Sequence, residues 1–133
     1  MKRNRISSFT GIFLSLIFTA SLHLSCTKVN QPTVDFTIDL NGAGGAVLNT
    51  KGGYVYDNGV IIARTTTGAY IAVTQICTHD GSTVIFQGPQ NVFYCQSDYS
   101  QYATSGAVVA GPATKNLKSY NTSVSGNTLR VWG

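Results

Sequence analysis

Two short stretches, Cys77-Thr78-His79 and Cys95-Gln96-Ser97-Asp98, constrain this chain more than any other feature. Each follows directly on a run of strand-forming residues. Tyr70 to Ile76 reads as a strand that delivers Cys77 at its end. Thr83–Phe86 and Val92–Tyr94 read as the next pair, turning at Gly88-Pro89-Gln90-Asn91, and deliver Cys95. A strand, a turn and a second strand between the two cysteines bring their loops side by side. Each loop then offers a soft thiolate and a harder second donor, and four donors converging from two loops are what an iron or zinc centre needs.

The rest of the chain supplies a β scaffold for those loops. Val34, Phe36, Ile38 and Leu40 alternate with Asp35, Thr37 and Asp39, the period of a half-buried strand. Tyr54–Tyr56 and Val60–Thr65 are joined by Asp57-Asn58-Gly59, a strong hairpin signal. Leu117–Val124 and Thr128–Trp132 form a last hairpin through Gly126-Asn127, with Trp132 expected to pack under the sheet. Asn41 to Gly45 is glycine-rich, but no helical pattern follows it, so it reads as a turn and not as a phosphate cradle. No helical stripe follows Cys26. The 133 residues suit one domain, and with the first 25 set aside enough remains for a single β core.

The N-terminus carries a different signal. Lys2, Arg3 and Arg5 precede an apolar run from Ile12 to Leu24, too short for a membrane span and suited to a signal peptide. The run ends in Leu22-His23-Leu24-Ser25-Cys26, which resembles a bacterial lipoprotein cleavage site. The resemblance implies cleavage before Cys26 and lipidation of its thiol. The domain would then be tethered to a membrane in the bacterial cell envelope, facing the periplasm or the exterior. An ordinary secretory signal and an uncleaved anchor helix are the alternatives. The expected organisation is a signal peptide over 1–25, a tether over 26–33 and a β domain over 34–133. The formal charge of +4 owes much to the three basic residues of that leader. The remaining cations nearly balance five aspartates, and there is no glutamate, so charge gives a nucleic-acid partner no support.

Taken together, these residues resemble the Rieske family, whose members hold a two-iron, two-sulfur cluster with Cys-x-His on one loop and Cys-x-x-His on the other. Gly106-Ala107-Val108-Val109-Ala110-Gly111-Pro112-Ala113 looks like the segment that covers the cluster, with Pro112 stiffening it, and Leu117-Lys118-Ser119-Tyr120 like the closing strand. The resemblance spans roughly residues 33 to 133. It implies an antiparallel Rieske-like β-sandwich with the cluster loops at one tip. It also implies Cys77, His79, Cys95 and Asp98 as metal ligands, and Ser100 and Tyr102 as hydroxyls bonding to cluster or cysteine sulfur. Such a protein passes single electrons to and from a redox protein partner. It is not an enzyme by itself, although it can be the small subunit of one.

Four positions depart from the family pattern. Asp98 stands where the second histidine belongs, and the chain's two histidines are His23 and His79, so a two-histidine centre is impossible in one mature chain. A carboxylate there is a hard donor suited to ferric iron; Asp80, Tyr99 and water are the alternative fourth ligands. Tyr99 stands where the family usually has glycine. Ser82 and Ser97 stand where one branch carries a loop-bridging cysteine pair. Two other fates remain open for the thiols: a Cys77–Cys95 disulfide in a cluster-free structural or interaction module, and a zinc site.

Overall fold

The computed structural model describes residues 33–133. The described residues form ten strands: β1 (Asp35–Asp39), β2 (Tyr54–Asp57), β3 (Val60–Arg64), β4 (Tyr70–Thr74), β5 (Ile85–Gln87), β6 (Val92–Tyr94), β7 (Gln101–Ala103), β8 (Val108–Ala110), β9 (Ser119–Ser125) and β10 (Thr128–Trp132). They make a six-stranded sheet in the order β1-β10-β9-β4-β3-β2 and a four-stranded sheet in the order β5-β6-β7-β8. Every pairing between these strands is antiparallel.

The hairpins follow from local chemistry. Asn58 and Gly59 both take left-handed φ, 48° and 79°, between β2 and β3. A two-residue loop needs that geometry to match the twist of its strands. Gly126, at φ 58°, plays the corresponding part between β9 and β10.

Strand β3 organises the core. Its run Val60-Ile61-Ile62-Ala63 is buried throughout, because both faces of the strand are covered. Ile61 and Ala63 face one cluster with Val73, Val84, Phe86, Phe93, Tyr102 and Leu117. Val60 and Ile62 face another with Ile38, Leu40, Leu48, Ala72, Leu129 and Val131. The large sheet therefore curls over so that β1 and β10 lie across from β3. The hinge is β9, whose first residues pair with β4 and whose remainder pairs with β10. The small sheet closes the other face of β3, with the Phe86 and Phe93 rings 5.2 Å apart in its core. Each large side chain so buried contributes about 1.5–3 kcal/mol.

The antiparallel all-β architecture is the one expected, with corrections of detail. β4 stops at Thr74, and Ile76 makes only an isolated bridge to Thr83. Ala46–Asn49 forms a short 3₁₀ turn that follows the glycine-rich loop. β7 and β8 were not expected as strands. Trp132 is half-buried, with the Arg130 guanidinium 5.2 Å above its ring, and does not sit under the sheet.

Candidate metal centre

The two cysteine loops leave the same end of the small sheet, Cys77–Ser82 ahead of β5 and Cys95–Ser100 between β6 and β7. They are built alike. In the first, the Cys77 amide donates to the Ser82 carbonyl (2.7 Å) and the Gly81 amide to the Cys77 carbonyl (3.0 Å). In the second, the Cys95 amide donates to the Ser100 carbonyl and the Tyr99 amide to the Cys95 carbonyl, both at 2.9 Å. The fifth residue of each is left-handed, Gly81 at φ 78° and Tyr99 at φ 67°. Each aspartate anchors its own loop. Asp80 Oδ1 accepts from the Ser82 amide and hydroxyl, at 3.0 and 2.7 Å. Asp98 Oδ1 accepts from the Ser100 amide at 2.7 Å. The shared frame is Cys-x-x-Asp-x-Ser, repeated in the two loops.

The frame crosses between the loops as well. His79 Nδ1 lies 2.8 Å from Asp98 Oδ2 of the opposite loop. The Cys77 Sγ lies 3.3 Å from Asp98 Oδ2, and the Cys95 Sγ 3.7 Å from Asp80 Oδ1. Donor atoms of Cys77, Asp80, Cys95 and Asp98 all lie within 4.8 Å of one another.

Both sulfurs are buried free thiols, so the disulfide held open above is not formed. Each has a hydroxyl beside it. Tyr102 Oη sits 3.2 Å from Cys77 Sγ, and Ser82 Oγ 3.0 Å from Cys95 Sγ. The Tyr102 hydroxyl is held in place by the Thr78 amide (3.3 Å) and the Thr78 hydroxyl (3.1 Å); the latter donates to the Lys115 carbonyl at 2.6 Å. Ser100, fully buried, plays another part: its hydroxyl accepts from the Ala113 amide at 3.1 Å, tying the covering segment to the second loop. Gly111 is what lets that segment approach, since a Cβ there would stand 2.5 Å from the Ser100 Cα.

The electrostatics favour anions at the two carboxylates and a neutral thiol at Cys77. Hydrogen bonds from the Ser97 hydroxyl and from the Ser82 amide and hydroxyl hold the Asp80 carboxyl well below the usual range. Burial pushes Asp98 up, but the Ser100 amide and hydroxyl and the two nearby thiols outweigh it, and the net shift is downward. With Asp98 ionised, the proton it shares with His79 sits on Nδ1. Burial raises the Cys77 thiol, opposed by the Tyr102 hydroxyl and by the His79 and Asp80 amides, which all favour its thiolate.

Cys77, Cys95 and Asp98 thus come together with Asp80, His79 reaches Asp98, and Tyr102 lies beside Cys77 sulfur. Ser100 is in the site and braces the cover, its hydroxyl touching neither cysteine sulfur. Two residues carry more than the sequence reading gave them. Ser82 reaches Cys95 sulfur. Asp80 occupies the same place in its loop as Asp98 does in the other, which the repeated Cys-x-x-Asp-x-Ser pattern would have revealed. Cys26 lies outside the described residues. No helix among the described residues is long and apolar enough to cross a membrane.

A β scaffold presenting two thiols and two carboxylates from paired loops is a metal-binding domain. The donor set fits an iron–sulfur centre by its chemistry: thiolates for one iron, harder donors for another, and hydroxyl and amide donors aimed at sulfur. The Rieske [2Fe-2S] domain family matches residues 37–121, and the chain belongs to that family. It is 34% identical over 76 residues to the cytochrome b6-f complex iron-sulfur subunit of Synechococcus sp. (strain JA-3-3Ab), covering 57% of this chain and 40% of the relative. The chloroplastic subunit of Pisum sativum is 38% identical over 58 residues, covering 44% of this chain and 25% of the relative. The chain therefore spans well under half the length of these relatives. Among solved structures, the cyanobacterial plasma membrane Rieske protein PetC3 from Synechocystis PCC 6803 aligns with a TM-score of 0.55 and 32% identity, over 65% of this chain and 91% of the other. The ferredoxin of carbazole 1,9a-dioxygenase from Nocardioides aromaticivorans IC177 shares the fold, with a TM-score of 0.56 and 21% identity over the same shares.

Proposed function

We propose that this protein is a single-electron carrier, taking one electron from a redox protein and passing it to another through a two-iron, two-sulfur centre between the two loops. The observation that carries this reading is the pairing of buried, free Cys77 and Cys95 with His79 and Asp98 on facing loops. Cys77 and Cys95 would hold one iron, and His79 Nδ1 and Asp98 Oδ2, already 2.8 Å apart, the other. The bound centre supplies the redox chemistry. The chain's own residues bind it, exclude water from its sulfurs and set its potential. Tyr102 would donate a hydrogen bond to Cys77 sulfur that favours the more negative, reduced state, whereas the Asp98 carboxylate favours the oxidised state; Ser82, whose proton goes to Asp80, packs beside Cys95 sulfur without donating to it. Relatives that are iron-sulfur subunits of cytochrome b6-f complexes support a role as a small electron-transfer subunit and not as an enzyme alone.

We further propose cleavage before Cys26, lipidation of its thiol and attachment to a bacterial envelope membrane, on the strength of the apolar run that ends there. Membrane recovery and lipid mass, compared between the wild type and Cys26→Ala, test the anchor. A potentiometric titration of the visible spectrum, without air, tests the carrier. A one-electron couple changes tenfold per about 59 mV and a dithiol–disulfide couple per about 30 mV. The steeper, two-electron response would refute the carrier reading.

A further inference from the structure

The site has a property that electron transfer does not use. Four donors, two sulfurs and two carboxylate oxygens, sit within 4.8 Å of one another. On one tetrahedral ion with metal–sulfur bonds near 2.3 Å and metal–oxygen bonds near 2.0–2.2 Å, neighbouring donors stand roughly 3.3–3.8 Å apart. The cross-loop pairs are already at that spacing, Cys77 Sγ to Asp98 Oδ2 at 3.3 Å and Cys95 Sγ to Asp80 Oδ1 at 3.7 Å. A two-iron centre divides its terminal ligands between two metals and so needs them farther apart. The two cross-loop pairs therefore stand at single-ion spacing, and the other pairs of the four lie within 4.8 Å.

We propose that the cluster-free chain binds one divalent ion of borderline softness, zinc or ferrous iron, through Cys77, Cys95, Asp80 and Asp98. The repeated Cys-x-x-Asp-x-Ser frame makes Asp80 and Asp98 corresponding donors, each held by hydrogen bonds on its own loop. His79 stays outside this set as a positioning residue, its Nδ1–H on Asp98 Oδ2 and its side chain 45% exposed. Binding releases the two thiol protons to solvent, and the ion compensates charges that would otherwise repel across the chamber. Because the ion takes both thiols, occupancy by it and by an iron–sulfur centre are mutually exclusive.

The test is titration of the metal-free, reduced full chain with cobalt(II) alone, then with zinc(II). The expected result is one ion per chain, thiolate-to-cobalt charge transfer with tetrahedral d–d bands, and displacement of cobalt by zinc. Asp80→Asn and Asp98→Asn should each weaken binding by about 100-fold or more. His79→Ala should weaken it by about tenfold and keep the tetrahedral spectrum. X-ray absorption of the zinc-loaded wild type, which needs no variant to fold, should show sulfur and oxygen donors without imidazole scattering. Imidazole scattering, loss of the tetrahedral spectrum in His79→Ala with its retention in Asp80→Asn, or no stoichiometric binding would each overturn the proposal. The cluster reading is judged separately, by the iron and sulfide of the protein as purified.

Discussion

Tyr102→Phe removes one oxygen atom from the centre of the site and nothing from its packing. The side chain is fully buried, and its hydroxyl meets three groups: Cys77 Sγ at 3.2 Å, the Thr78 amide at 3.3 Å and the Thr78 hydroxyl at 3.1 Å. The Thr78 hydroxyl keeps its bond to Lys115, so the Thr78 amide is the group left without a partner. Losing the sulfur contact costs about 0.5–1.5 kcal/mol, and the half-buried orphan amide adds about 1 kcal/mol more. A total of about 2 kcal/mol lowers Tm by roughly 8–16 °C in a domain of this size. With the centre loaded, a bond that favours the reduced state by about 0.5–1.5 kcal/mol is worth roughly 20–65 mV for one electron, so the midpoint potential should fall by that amount. Differential scanning calorimetry and a potentiometric titration of the same preparations measure both effects. If Tyr102→Phe left both Tm and midpoint unchanged, the hydroxyl's contact with Cys77 would have no energetic weight and the argument would fail.

Asp98→His should raise the midpoint potential by roughly 100 mV or more, since all-thiolate centres lie far below mixed ones and one anionic donor becomes neutral; an unchanged potential and spectrum would mean Asp98 never touched iron. Acid should loosen the loops. Asp80 and Asp98 have lowered folded pKa values, so their contribution to stability is present above the ordinary carboxylate value near 3.9 and is lost as pH falls below it. Tm should therefore fall below about pH 4, and part of that dependence should vanish in Asp80→Asn, as thermal melts across pH will show. Tyr99→Gly should stabilise the domain by about 0.5–1 kcal/mol in a denaturant titration, because relief of left-handed strain at φ 67° exceeds the added chain entropy. Gly111→Ala should destabilise it by more than 2 kcal/mol, because Gly111 has φ 90° and the new Cβ would meet the Ser100 backbone.

The scaffold was legible wherever local chemistry decides structure. Asn58-Gly59 and Gly126 mark tight turns by conformation alone. The unbroken run Val60-Ile61-Ile62-Ala63 marks a strand, although only the structure shows that both its faces are covered. β7 and β8, three residues each, carry too short a pattern to register and exist because β6 and the cover segment pair with β7. The cysteines and His79 stood out because few residue types bind soft metals. Asp80 was harder to weigh. The repeated Cys-x-x-Asp-x-Ser spacing sets it level with Asp98, but the approach of each carboxylate to the opposite loop's sulfur is not encoded in spacing within one loop. Ser100 illustrates the same limit, since its position did not show that its hydroxyl accepts the Ala113 amide and ties the cover to the second loop.

Iron and acid-labile sulfide, measured per chain on protein purified without air, test the central claim most directly. The account predicts a coloured protein with about two irons and two sulfides, both lost in Cys77→Ser and Cys95→Ser. A colourless chain with neither iron nor sulfide, whose Cys77 and Cys95 resist thiol reagents until a disulfide is reduced, would contradict it.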